Sequence, residues 1–141
     1  MKRFIRLVCL LLVFTSLAAI PAYAQENSAR ASAYLNAYGG YCTQTSSTTV
    51  VVSYQVIGTS SMDEIGANTV TVQYSSDQVN WTTAHTFYKS SNPGMTINNR
   101  AVYATDLYCT VPAGKYYRAK ITFYAEKDGG FAERYYTTDI I

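Results

Sequence analysis

Histidine and the carboxylates are the side chains of this sequence that could do acid–base chemistry, and their placement argues against catalysis. His85 is the only histidine, so any Ser-His-Asp or Cys-His arrangement would have to use it. It alternates with Ala84 and Thr86 in a strand-like segment, where it needs no role beyond packing or solvation. The carboxylates fall mostly in predicted turns, and no spacing forces a pair into a cleft: Asp63, Glu64, Asp77, Asp106, Glu126, Asp128 and Glu133. We therefore expect no catalytic residue and no enzyme.

Metal and cofactor chemistry has no recognisable pattern in this sequence. It contains one histidine, no thiolate cluster and no Asp-x-Asp-x-Asp loop, so neither a zinc nor a calcium site is predicted. Asp128-Gly129-Gly130 is explained by a hairpin turn. Asn80-Trp81-Thr82 fits the N-glycosylation pattern, which we interpret as a chance match because the composition looks bacterial.

Tyrosine is the remaining chemical signal, with 14 residues in the chain. The alternation of one segment places Tyr116, Arg118, Lys120 and Tyr124 on one face of a strand. Such an aromatic and basic face could stack on sugars or anchor a protein partner. The alternative is that tyrosine simply suits half-exposed strands.

The elements that must position these residues begin after a predicted signal peptide, residues 1–24. Three positive charges in residues 1–6 precede an apolar run from Leu7 to Ile20, and Ala22-Tyr23-Ala24 provides the small residues of a cleavage site. The apolar run is too short for a comfortable membrane span, although an uncleaved anchor is the alternative. We expect a loose leader at 25–31, one domain at 32–141, and release of the protein from the cell.

Charge limits the partners of the mature chain. The signal peptide would remove three of the eleven basic residues and leave eight against nine acidic ones. No cluster of Lys and Arg remains, so neither nucleic acid nor an anionic membrane is an expected partner. An extracellular protein or a glycan remains as the expected class of partner, and the protein is predicted to be a monomer.

The mature chain is rich in Tyr, Val and Thr and predicts an all-β domain. Seven short strands are expected, separated by turns of Gly, Pro, Asn, Asp and Ser. Six of them are Ala33–Cys42, Thr48–Ile57, Thr69–Tyr74, Trp81–Tyr88, Tyr116–Ala125 and Phe131–Thr138. The segment from Thr96 to Cys109 holds the remaining strand around Ala101–Ala104, or alternatively two strands. Gly39-Gly40 suggests a bulge or bend in the first of them. This spacing of strands and turns is typical of an antiparallel β-sandwich.

Two resemblances bear on the fold. The run from Val111 to Ile121, in which a tyrosine starts an alternating strand, resembles the approach to the sixth strand of fibronectin type III and immunoglobulin-like domains. The segments 62–67, 72–77 and Asn80-Trp81 are similar to the core of an uncharacterised family of small secreted proteins from Gram-positive bacteria. The first resemblance implies a sandwich fold, and the second implies no activity.

Cys42 and Cys109 are the two cysteines that remain after signal cleavage. In an exported chain a disulfide is the expected state, and a pair of buried free thiols is the alternative. Immunoglobulin-like strand order would bring the two residues together at one end of one sheet. A bridge there could stabilise the domain by as much as roughly 4 kcal/mol.

The sequence therefore favours a secreted, non-catalytic binding or interaction module of unknown ligand. Carbohydrate binding and a structural role in the cell envelope are the alternatives within the non-catalytic class. A small carboxylate-based hydrolase has the least support, because no pair of acids is placed for it.

Overall fold

The computed structural model describes residues 32–141, which form an antiparallel all-β structure without an α-helix in that range. Six strands follow in chain order: β1 (Leu35–Ser46), β2 (Thr49–Ser75), β3 (Thr82–Tyr88), β4 (Thr96–Thr110), β5 (Tyr116–Lys127) and β6 (Gly130–Thr137). A single 3-10 turn, Pro93–Met95, precedes β4. Within 32–141 no helix has the length and apolar character needed to cross a membrane. The predicted signal peptide and leader lie outside the described residues.

Strand β2 organises the sheet because it pairs with four other strands along its length. Its first part, up to Ile57, lies between β1 and residues 102–110 of β4. Its last part, from Thr69, lies between β3 and β5, and β6 pairs with the far edge of β5. We call the β1–β2–β4 part the first half-sheet and the β3–β2–β5–β6 part the second half-sheet.

The sheet curls so that the inner faces of the two half-sheets bury a common core. Phe123 of the second half-sheet lies 5.1 Å from Tyr38 and 5.8 Å from Tyr54 of the first, measured between ring centroids. Tyr136 of β6 completes this aromatic group at 6.2 Å from Phe123. Burial of such large apolar surfaces is the main favourable contribution to folding.

The sequence alternates along two segments, Thr48–Ile57 and Tyr116–Ala125, and this alternation predicts one buried face in each, which the structure confirms. The residues predicted to share one face are buried in both cases: Val50, Val52, Tyr54 and Val56 in β2, and Tyr117, Ala119, Ile121 and Phe123 in β5. Period-two alternation identifies a buried face because successive side chains of a strand point to opposite sides of the sheet.

The predicted number of strands is wrong by one. The segments predicted as separate strands, Thr48–Ile57 and Thr69–Tyr74, belong to one continuous strand, β2. The residues between them stay extended because 62–66 pair with the beginning of β4 and 64–66 with the end of β5. The sequence of the connecting residues did not predict this pairing, because it depends on β4 and β5, which come later in the chain.

The bulge predicted at Gly39-Gly40 is also absent from the β1–β2 ladder. Register is continuous there, with Gly39 opposite Gln55 and Gly40 opposite Tyr54, and the irregularities lie nearer both ends of β1. A glycine fits position 40 because there is no room for a side chain: a Cβ would lie 2.8 Å from the Ser53 carbonyl oxygen and 2.9 Å from Cδ1 of Ile121.

Candidate functional site

The predicted tyrosine face exists as a row on β5, but its two tyrosines differ in accessibility. Tyr116, Arg118, Lys120 and Tyr124 alternate with buried residues and so lie on the outer face of the second half-sheet. Tyr116 is 42% exposed, whereas Tyr124 is only 9% exposed. The face is therefore not the open aromatic surface that the sequence suggested.

Arg118 is held by its neighbours on this face. Its guanidinium carbon lies 4.0 Å from the ring centroid of Trp81, and its Nε donates a hydrogen bond to Oε1 of Gln73 at 3.0 Å. Stacking of a guanidinium on an aromatic face is a stabilising arrangement. The side chains of Trp81 and Arg118 therefore contact each other, and neither presents a free surface on this side of the ring or guanidinium.

Tyr124 is covered by side chains from two other segments. The Nζ of Lys89 lies 3.9 Å above its ring centroid, and the Phe131 ring stacks beside it with centroids 6.0 Å apart. The residue opposite Tyr124 in the ladder is Gly66. Tyr124 is thus part of the packing of the second half-sheet and not a free stacking platform.

Three glutamates surround the Tyr124 hydroxyl. That hydroxyl donates a hydrogen bond to Glu126, while Glu64 accepts one from Nζ of Lys89 at 2.9 Å. Burial raises the pKa of Tyr124, and the hydrogen bond and the charges of Glu126, Glu64 and Glu133 raise it further. The tyrosine therefore stays a neutral hydrogen-bond donor. The sequence had not predicted that these carboxylates converge.

The histidine lies away from the carboxylates just described. His85 is exposed on β3, and its ring packs against Phe87 with centroids 4.5 Å apart. Within residues 32–141 no group of three or more His, Cys, Asp or Glu side chains is placed to hold a metal ion.

The predicted disulfide is not formed, and both cysteines are buried free thiols. Cys42 lies opposite Val52 on β1, and Cys109 lies opposite Val50 on β4, so the two share one face and one end of the first half-sheet. Strand β2 lies between them, however. Neighbouring strands are about 4.8 Å apart, which separates β1 from β4 by about twice that distance. A disulfide requires Cα atoms within about 7 Å.

Burial disfavours the ionised, thiolate form of both cysteines. Burial raises the pKa of the Cys42 thiol, partly offset by its contact with Thr138, whose Oγ1 lies 3.4 Å from the sulfur. Burial also raises the pKa of Cys109, and the neighbouring Cys42 contributes in the same direction. A thiol must ionise to act as a nucleophile or a metal ligand.

A concavity lies on the outer face of the first half-sheet, away from the tyrosine row of β5. It has a volume of about 560 Å³, within the usual range of roughly 300–1,000 Å³ for ligand pockets. We call it the cross-strand groove and define it by six outward-facing residues: Gly39, Tyr41, Ser53, Gln55, Ala104 and Asp106.

The ladder register explains the shape of the cross-strand groove. Ser53 lies directly between Tyr41 and Asp106 in one cross-strand row, and Gln55 lies between Gly39 and Ala104 in the next. In the second row the residues that flank Gln55 are glycine and alanine, whose side chains project less from the sheet than those of Tyr41 and Asp106 in the first row. The groove therefore runs across the strands along the second row, next to the first.

The polar side chains of the cross-strand groove are uncommitted. Within residues 32–141, the side chains of Ser53, Gln55 and Asp106 form no hydrogen bond or ion pair with protein groups. Tyr41 beside them is 61% exposed. The alternation in the sequence places Ser53 and Gln55 on the opposite face of the strand from Val52 and Tyr54, but it assigns neither residue to a site. The signal available in the sequence was Tyr41 directly after Gly39-Gly40.

Comparison with known proteins assigns no family to this fold and site. No protein-family model matches the chain, and no curated protein matches it. Among solved structures, it is similar to a crystal structure of a protein from Archaeoglobus fulgidus, with 7% identity over 76% of this chain and 95% of that chain. The TM-score of 0.38 is too low to support an argument from that structure.

Proposed function

We propose that the protein is a secreted, non-catalytic binding module whose ligand occupies the cross-strand groove. The observation that carries this proposal is the set of unpaired polar side chains beside the exposed ring of Tyr41. A concavity with a few convergent polar groups is the usual form of a binding site. Secretion rests on the predicted signal peptide.

We further propose that the module has an immunoglobulin-like sandwich fold. Tyr117 near the start of β5 donates a hydrogen bond from its hydroxyl to the Pro112 carbonyl at 2.6 Å. A tyrosine that bonds backbone a few residues upstream of its strand is a feature of immunoglobulin-like domains. The contacts of Phe123 with Tyr38 and Tyr54 also support two facing layers.

The binding function is tested with Gly39→Phe, which fills the groove. A Cβ at Gly39 meets no atom within 4 Å, so the new side chain enters the groove without a clash at its base. Gly94→Phe is the matched control, because a Cβ at Gly94 also meets no atom within 4 Å and lies outside the groove. The full-length chain is expressed in a bacterial host with an export system, and the secreted product is weighed by mass spectrometry.

The secreted wild-type and both variants are then applied to arrays of glycans and of extracellular proteins. The proposal predicts a ligand that the wild-type and Gly94→Phe retain and Gly39→Phe loses. Ligands that bind all three proteins equally would contradict a role for the groove. Turnover of a ligand that is lost in Glu126→Gln would contradict the non-catalytic proposal.

A structural role in the envelope is the second candidate, and strand β6 favours it. β6 pairs only with β5 in the described part of the chain, so its other edge is free to pair with another strand. Its outer face exposes Phe131 at 64% and Tyr135 at 80%. Light scattering that finds a monomer at high concentration would remove this candidate, and a defined oligomer would favour it.

A further inference from the structure

We propose that the cross-strand groove binds an internal segment of a linear, neutral polysaccharide. This inference rests on the proposed binding function and names the ligand class of the same site. It is carried by the chemistry, the charge and the open ends of the groove.

The chemistry of the groove matches that of a sugar ring. A pyranose presents an apolar face of C–H groups, which stacks on an aromatic ring, and a rim of hydroxyls, which need donors and acceptors. The exposed ring of Tyr41 lies next to Ser53 in the ladder, and Asp106 follows on the other side of Ser53. A carboxylate accepts hydrogen bonds from two hydroxyls, and serine and glutamine supply both donors and acceptors.

Charge restricts the ligand to neutral sugars. Asp106 is the single charged residue that lines the groove, and no lysine or arginine is among the lining residues of the described chain. A uronic acid or a phosphorylated sugar would bring a second negative charge to Asp106 without a compensating cation. Asp106 is exposed, and two like charges brought within a few ångströms of each other repel.

The open ends of the groove favour binding of an internal segment of a polysaccharide over binding of its terminus. The row that contains Gly39, Gln55 and Ala104 crosses all three strands of the first half-sheet, and its small outer residues leave both ends open. A linear polymer can therefore enter on one side and leave on the other. A pocket closed at one end would select a chain terminus instead.

A peptide fits this groove less well than a sugar. Peptides bind sheets mainly by adding a strand at a free edge, where backbone groups are unpaired. The floor of the groove is β2, whose backbone is already paired with β1 and β4 on both sides. A peptide that crosses the strands would leave most of its own backbone groups without partners.

Titration calorimetry with defined oligosaccharides tests this inference. The probes are the neutral hexasaccharides of linear β-glucan, mannan, xylan and galactan, with hexagalacturonic acid as the anionic comparison. We expect at least one neutral hexasaccharide to bind, and Gly39→Phe and Tyr41→Ala each to weaken it by roughly tenfold or more, as for central aromatic contacts. Reduction of the sugar's terminal aldehyde should leave the affinity unchanged.

Two controls separate the groove from the rest of the surface. Gly94→Phe adds the same side chain elsewhere, and Tyr135→Ala removes an exposed tyrosine from the opposite face. Both should bind as the wild-type does. Binding to no neutral hexasaccharide, equal binding of hexagalacturonic acid, or full retention by Gly39→Phe would overturn the inference. A protein ligand that Gly39→Phe abolishes would overturn it too, while leaving the proposed binding function intact.

Discussion

The outer faces of the two half-sheets contrast in what their polar and aromatic side chains contact. On the second half-sheet these side chains contact one another: Arg118 with Trp81, Lys89 with Tyr124, and Thr71 with Thr86 at 3.1 Å. On the first half-sheet, the polar side chains of the cross-strand groove have no protein partner in the described chain. The outer face of the second half-sheet, which carries more aromatic and charged residues, therefore satisfies its own side chains, and the polar side chains of the first half-sheet are the ones left for the proposed ligand.

Alanine substitution of one tyrosine on each face gives the largest expected difference. Tyr124→Ala leaves a space beneath Lys89 and beside Phe131, and we expect a loss of about 2–4 kcal/mol in unfolding free energy. Tyr41→Ala removes a side chain that is 61% exposed and should cost less than about 0.5 kcal/mol. Urea denaturation measures both. Equal losses would show that the two faces are packed alike.

Two adjacent glycines of β1 differ in the same way: Gly40 faces the packed core, whereas Gly39 faces the open groove. Gly40→Ala places a Cβ 2.8 Å from a backbone oxygen of Ser53, and overpacking of this kind typically costs about 1–3 kcal/mol. Gly39→Ala meets no atom within 4 Å and should leave stability unchanged or raise it by a few tenths of a kcal/mol. Thermal unfolding checks the order. Destabilisation by Gly39→Ala would mean that the groove is filled in the free protein.

The Lys89 contact predicts a smaller effect that depends on pH. Partial burial by itself would raise the pKa of Glu64, but the hydrogen bonds from Lys89 and Thr96 and the Lys89 charge outweigh it and lower the pKa. A lowered carboxyl pKa stabilises the folded state above the ordinary glutamate value of about 4.3, and this contribution is lost as the pH falls below it.

Lys89→Met removes that contribution, so it should destabilise the protein by about 1 kcal/mol or less near neutral pH. The difference from the wild-type should shrink as the pH falls below about 4. Urea denaturation across this range measures it. A difference that stays constant with pH would assign the effect to the Tyr124 contact alone.

Alternation of residue types along single strands predicted which residues of β2 and β5 lie in the core, because every second side chain of a strand points to the same face. The burial of Tyr124 on the outer face could not be predicted in this way. It depends on Lys89, which follows β3, and on Phe131, which lies on β6. The cross-strand groove likewise depends on three strands in one register, which joins Gly39, Gln55 and Ala104 from distant parts of the chain.

The two cysteines show the same limit of prediction from sequence, and the change in stability expected at this site is the smallest of those considered. The sequence predicted their compartment and their meeting at one end of the first half-sheet, but it did not predict that β2 would lie between them. A reductant should therefore leave the unfolding midpoint unchanged, and a thiol-labelling reagent should modify both Cys42 and Cys109 after denaturation without prior reduction. A bridge would instead protect both thiols and, on reduction, cost up to roughly 4 kcal/mol. That result would require β1 and β4 to approach each other over Val50 and Val52, and it would contradict the pairing that also shapes the groove.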